Sequence, residues 1–118
     1  MPQQPLDPEL TSAIVREPGG VRLMLRGELD MGSVLEAESA VRAAAKLTDG
    51  CLVIDLSELV FMDVFGARAL LRVADEALSA EREVVIANPN RHLRRLFELI
   101  TDLAYGRSLV AELVRPTA

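Results

Sequence analysis

The sequence predicts a single α/β domain, with a mostly parallel central sheet, an antiparallel strand at its N-terminal edge and helices packed on it, in the order β-β-α-β-α-β-α-β. Two short apolar runs, CLVIDL at 51–56 and the centre of REVVIAN at 82–88, have the length and composition of parallel strands covered on both faces. The segments after each of them carry apolar residues at helical spacing. Strands alternating with helices imply parallel pairing with right-handed crossovers. A chain of 118 residues supports one core of this kind and not two.

Residues 1–10 hold three prolines without periodicity and read as a flexible lead-in, so the domain is expected over 11–118. SAIVREPGGVRLMLRGELD then gives two strand-like runs around Pro18-Gly19-Gly20, where proline fixes one φ angle and glycine supplies a positive one. In the second run Val21, Leu23 and Leu25 alternate with Arg22, Met24 and Arg26, as in a strand with one covered face. The pair is expected to be antiparallel at the sheet edge.

From Met31 to about Thr48, Val34, Ala37, Val41, Ala44 and Ala45 recur at helical spacing, and Asp49-Gly50 closes that helix. A second helix fits 64–80, with the stripe Ala67, Leu70, Leu71, Ala74, Ala77 and Leu78. Leu93, Leu96, Phe97 and Ile100 make the stripe of a third helix, opening near Asn88-Pro89-Asn90. RSLVAEL at 107–113 reads as a short last strand.

Thirteen Lys and Arg against eighteen Asp and Glu give a formal net charge of −5, which opposes attraction to nucleic-acid phosphates and anionic membranes. Cys51 is the only cysteine, so the sequence has no disulfide framework or thiol metal cluster, consistent with a reducing cytoplasm. No apolar run is long enough to span a bilayer, and the N-terminus lacks a secretory pattern. No phosphate-cradling glycine loop, nucleophile elbow or metal-ligand cluster is present, and no cofactor or metal is expected. His92 stands beside Arg91, Arg94 and Arg95, a cluster that reads as the solvated face of the third helix, with an anion or acidic-partner site as the alternative.

The stretch FMDVFGARAL, 61–70, is the most informative. Asp63 is a suitable N-cap for the second helix, because its carboxylate accepts from the unpaired N–H groups of the first turn and suits the positive end of the helix dipole. Phe65 then falls about 175° from the centre of the apolar stripe, on the side of Arg68, Arg72 and Glu76. A phenylalanine there is either covered by another chain or tucked under a loop of its own. Asp30 and Glu28, between a strand and a helix, are either a contact loop or a second cap with Ser33. Asp55, at the end of a buried run, calls for a hydrogen-bond partner.

GELDMGSVLEAESAV, CLVIDLSELVFMDVFGARALLRVADEA and RRLFELITDL resemble the STAS domain of bacterial anti-sigma factor antagonists from about residue 12 onward. The resemblance is carried by Gly27-Glu28-Leu29-Asp30, by Val53-Ile54-Asp55-Leu56 leading to Phe61-Met62-Asp63, and by Gly66. It implies a non-catalytic module that binds an anti-sigma factor with a histidine-kinase-like ATPase domain, as a monomer or weak homodimer. It places the contact surface at Asp30, Asp63, Val64, Phe65 and Gly66. It also places the residue the family phosphorylates, a serine or threonine directly before the glycine, at Phe65, which has no hydroxyl. Alternatives are a STAS subunit of a transporter or signalling assembly, and a small-ligand domain or enzyme using the acidic loops.

Overall fold

A computed structural model describes residues 9–78, 82–100 and 114–115. The strands are β1 (Thr11–Glu17), β2 (Gly20–Leu29), β3 (Cys51–Met62), β4 (Glu83–Ala87) and β5 (Val114–Arg115). The helices are α1 (Val34–Ala45), α2 (Val64–Leu78) and α3 (Arg91–Ile100), with a single 3₁₀ turn at Met31–Ser33 leading into α1. One mixed sheet runs in the order β1-β2-β3-β4-β5. β1 is antiparallel to β2, and the other pairs are parallel.

The order of strands decides where the helices go. Successive parallel strands lie side by side, so right-handed crossovers carry α1, α2 and α3 over the same face of the sheet. Val21, Leu23 and Leu25 of β2, Leu52, Ile54 and Leu56 of β3, and Val84 and Ile86 of β4 point into that face. They join Ala37, Val41, Leu70, Leu71, Ala74, Leu93, Phe97 and Ile100 from the helices in one buried core. Burial of such side chains at about 25 cal/mol per Å² is the main force holding the layers together. The alanines of α1 and α2 let these two helices approach closely across the sheet.

Between β1 and β2, Gly19 has φ of +85°, the positive value expected of the turn glycine. Elsewhere the structure corrects several boundaries. The helix expected from 31 begins as a 3₁₀ turn, because Ser33 N–H donates to the Asp30 carbonyl at 3.0 Å instead of four residues back. It ends at Ala45, where Leu47 and Thr48 switch to bonds with Ala44 and Ala45. β3 runs six residues beyond the expected 51–56, since β2 continues to pair with it as far as Leu29↔Met62, with register shifts at Met24/Arg26 and Gly27/Glu28.

The outer face of β3 is also less covered than a doubly buried strand requires, with Cys51 and Val53 half-buried. Leu10, assigned to the lead-in, packs against the core. The strand expected at 107–113 lies outside the described residues; the described last strand is Val114–Arg115, beside β4. Among the described residues no helix is long and apolar enough to cross a membrane.

On the face away from the helices, Asp55 is, among the described residues, the buried charged one. Arg22 donates to its Oδ2 at 2.7 Å, Ser57 N–H to its Oδ1 at 2.9 Å, and the Asn88 amide to Oδ1 at 3.4 Å. Arg22 also reaches Glu17 at 2.8 Å, so one guanidinium ties β1, β2 and β3 together. Burial pushes the Asp55 carboxyl up, but the Ser57 N–H and hydroxyl, Arg22 and Asn88 outweigh it and hold the group below the usual carboxylate range.

Candidate functional site

Two chain crossings meet at the C-terminal ends of β2 and β3. Both strands end in an aspartate that starts a helical turn: Asp30 after Leu29, and Asp63 after Met62. Asp63 Oδ1 accepts the Gly66 N–H at 2.8 Å, and its carbonyl accepts the Ala67 N–H at 2.9 Å, which closes the first turn of α2. Its other carboxylate oxygen, Oδ2, accepts the Met31 N–H at 3.2 Å, and its own N–H donates to the Leu29 carbonyl at 3.1 Å. One side chain therefore caps α2 and ties the two loops to each other.

Asp30 caps the 3₁₀ turn in the same way. Its Oδ1 accepts the Gly32 N–H at 2.9 Å, while Ser33 Oγ accepts the Asp30 N–H at 3.0 Å and donates to the Glu28 carbonyl at 3.1 Å. Gly66 is buried. A Cβ at this position would stand 2.7 Å from Leu29 Cγ and closer still to the Leu29 carbonyl oxygen. The glycine thus permits α2 to start directly against the end of β2.

These bonds fix what faces outward. Asp30 and Asp63 are half-buried, Val64 is exposed, and Phe65 keeps 50% of its surface in contact with solvent. Phe65 accordingly lies free of its own chain's loops to that extent, on the outer side of α2. Arg72 and Glu76 on the same helix pair instead with Glu38 and Arg42 of α1, at 3.4 and 2.9 Å.

Sequence reasoning missed three further apolar side chains here: Met31, 66% exposed, and Val60 and Phe61, at 63% and 47%. Met31 had a signal, since it follows a capping aspartate as Val64 follows Asp63. Val60 and Phe61 had none, because consecutive exposed apolar residues in a strand break the alternation by which strands are read. These exposed apolar side chains lie, with Val64 and Phe65, at the end of β3, at the start of α2 and in the 3₁₀ turn. Beside that turn Glu9, Glu28, Asp30 and Glu36 contribute to a cleft of about 490 Å³.

Asp63 spends both carboxylate oxygens on backbone N–H groups, and Asp55 spends its own on Arg22, Ser57 and Asn88. Among the described residues no cluster of His, Cys, Asp and Glu could hold a metal ion. His92, Arg91 and Arg95 are exposed on α3, and Arg94 is half-buried there.

The family model of the STAS domain matches residues 12–103. No curated protein gives a significant match. Among solved structures, the Bacillus cell fate determinant SpoIIAA in its phosphorylated form is similar over 92% of each chain, at 19% identity and a TM-score of 0.63. An anti-sigma factor antagonist from Mycobacterium paratuberculosis is similar over 92% of this chain and 87% of that one, at 24% identity and a TM-score of 0.67. The murine anion transporter Slc26a9 matches 87% of this chain with 17% of its own, at 15% identity and a TM-score of 0.71. At these identities the likeness is one of fold.

Proposed function

The chain belongs to the STAS domain family, and from that premise we propose that it is an anti-sigma factor antagonist that acts by binding and is not phosphorylated at the family's usual loop position. Its contact surface is the outer side of the two capped loops, with Asp30, Asp63, Val64, Phe65 and Gly66 as the residues that form or shape it. The observation that carries the proposal is the half-exposed ring of Phe65, held at the start of α2 by the Asp63 cap. A protein partner that covers it gains a buried aromatic contact of the kind that dominates interfaces. The partner's matching chemistry is an apolar pocket, presented by an anti-sigma factor with a histidine-kinase-like ATPase domain.

A second reading is a STAS subunit within a transporter or signalling assembly, and the likeness to the domain carried by Slc26a9 favours it. Affinity capture of the tagged full chain from its source cell, with wild type and Phe65→Ser side by side, distinguishes the two. Recovery of an ATPase-domain anti-sigma factor by wild type, reduced with the variant, supports the first. Recovery of transporter subunits with no anti-sigma factor overturns it in favour of the second.

A further inference from the structure

We propose that β1 pairs with β1 of a second copy of this chain, joining the two sheets across a twofold axis at Ile14. β1 is an edge strand: β2 occupies one side, and among the described residues its other side has no strand partner. All seven of its residues are at least partly exposed, so the row of backbone groups on that side is open to a further strand.

The helix-side surface above this edge is open as well. Ser12, Ile14 and Arg16 lie opposite Leu25, Leu23 and Val21, whose side chains enter the core, so these three β1 residues face the helix side. α1 packs over β2 and β3 and leaves a trough of about 480 Å³ beside β1, lined by Ser12, Leu35, Glu36, Ser39 and Ala40. Leu35 is 76% exposed on its wall.

Symmetry then selects the occupant. An antiparallel pair of identical strands related by a twofold axis normal to the sheet places residue i against a fixed partner on the same face. The register centred on Ile14, the middle of Thr11–Glu17, pairs all seven residues. It sets Ile14 against Ile14, Ala13 against Val15, Thr11 against Glu17 and Ser12 against Arg16, with no like charges opposed.

Side chains directly opposite in such a pair stand about 5 Å apart. Arg16 of the second copy therefore enters beside Ser12, in the trough that Glu36 lines. Among the described residues neither Arg16 nor Glu36 has an ion-pair partner within its own chain. The twofold makes this complementarity reciprocal, giving two Arg16–Glu36 pairs per dimer, while the apolar Ile14 and Leu35 are covered. The surface lies on the β1 edge and does not depend on the proposed anti-sigma binding.

Sedimentation equilibrium of the full chain over a range of concentrations tests this. Wild type is expected to dimerise reversibly. Arg16→Glu and Glu36→Arg should each weaken the dimer about tenfold, because each disrupts two pairs, and the double variant should recover wild-type association. Ile14→Lys, which sets two cations face to face, should be monomeric, with circular dichroism confirming that every variant is folded. A wild type that is monomeric throughout, an Ile14→Lys variant that still dimerises, or a double variant no stronger than either single reversal would overturn the proposal.

Discussion

Gly66 packs against Leu29 so closely that the first turn of α2 rests on the last residue of β2, with no room for a side chain between them. This contact sets the height at which α2 begins, and with it the level at which Val64 and Phe65 are offered to solvent. Gly66→Ala forces a methyl group against the Leu29 backbone and side chain. It should destabilise the fold by about 1–3 kcal/mol, as overpacking does. Chemical denaturation measures it, and an unchanged midpoint would show that the helix start can shift freely.

Asp63 joins the same two loops through hydrogen bonds. Asp63→Ala removes the α2 cap and the Met31 tether together and should cost about 2 kcal/mol, the upper end for an N-cap. Asp63→Asn keeps a carbonyl oxygen for the Gly66 N–H but presents an NH₂ where Met31 needs an acceptor, so its cost should fall between alanine and wild type. Equal costs for the two variants would mean that the cap bond contributes nothing measurable.

Phe65→Ser separates surface from core. The ring is half-exposed, so folding stability should change by less than about 1 kcal/mol. Binding to an anti-sigma partner should weaken by about 1–4 kcal/mol, as for an aromatic anchor. A large loss of stability with undiminished binding per folded molecule would contradict the interface reading.

The segment from Glu58 to Leu78 contains no serine, threonine or tyrosine. A cognate kinase with ATP should therefore leave this segment of the wild type without a hydroxyl-linked phosphate, while Phe65→Ser should acquire one at residue 65. Peptide mass spectrometry reads both outcomes. A serine variant that the kinase leaves unmodified would argue that position 65 is not the equivalent of the family's acceptor.

Asp55 gives the fold an acid-sensitive link. Its carboxyl is held below the ordinary range, so in the folded state it stays charged at pH values where the unfolded chain binds a proton. Its contribution to stability is complete above the unfolded value of about 3.9 and is lost as the pH falls through the lower folded value. Asp55→Asn should lower stability at neutral pH by about 2 kcal/mol, the scale of a hydrogen bond to a charged group. It should also flatten the dependence of stability on pH below about 4. An acid limb identical to wild type would assign that dependence to other carboxylates.

The sequence by itself determined the kinds and order of the elements, the antiparallel edge pair, the turn at Gly19, the cap at Asp63 and the outward direction of Phe65. Each of these is local. Apolar spacing reports which side of one element is buried, and a capping residue acts on N–H groups within its own turn. The tertiary structure decided what depends on register between distant segments. β3 continues to Met62 because β2 lies alongside it, and the exposure of Val60 and Phe61 follows from that shifted ladder. The Arg22–Asp55 pair spans 33 positions, and the Met31–Asp63 tether spans 32. Even Gly66, legible as a motif glycine, owes its necessity to Leu29 on another strand. Periodicity encodes burial along one element at a time, whereas a contact between two elements exists only once the sheet has fixed their offset.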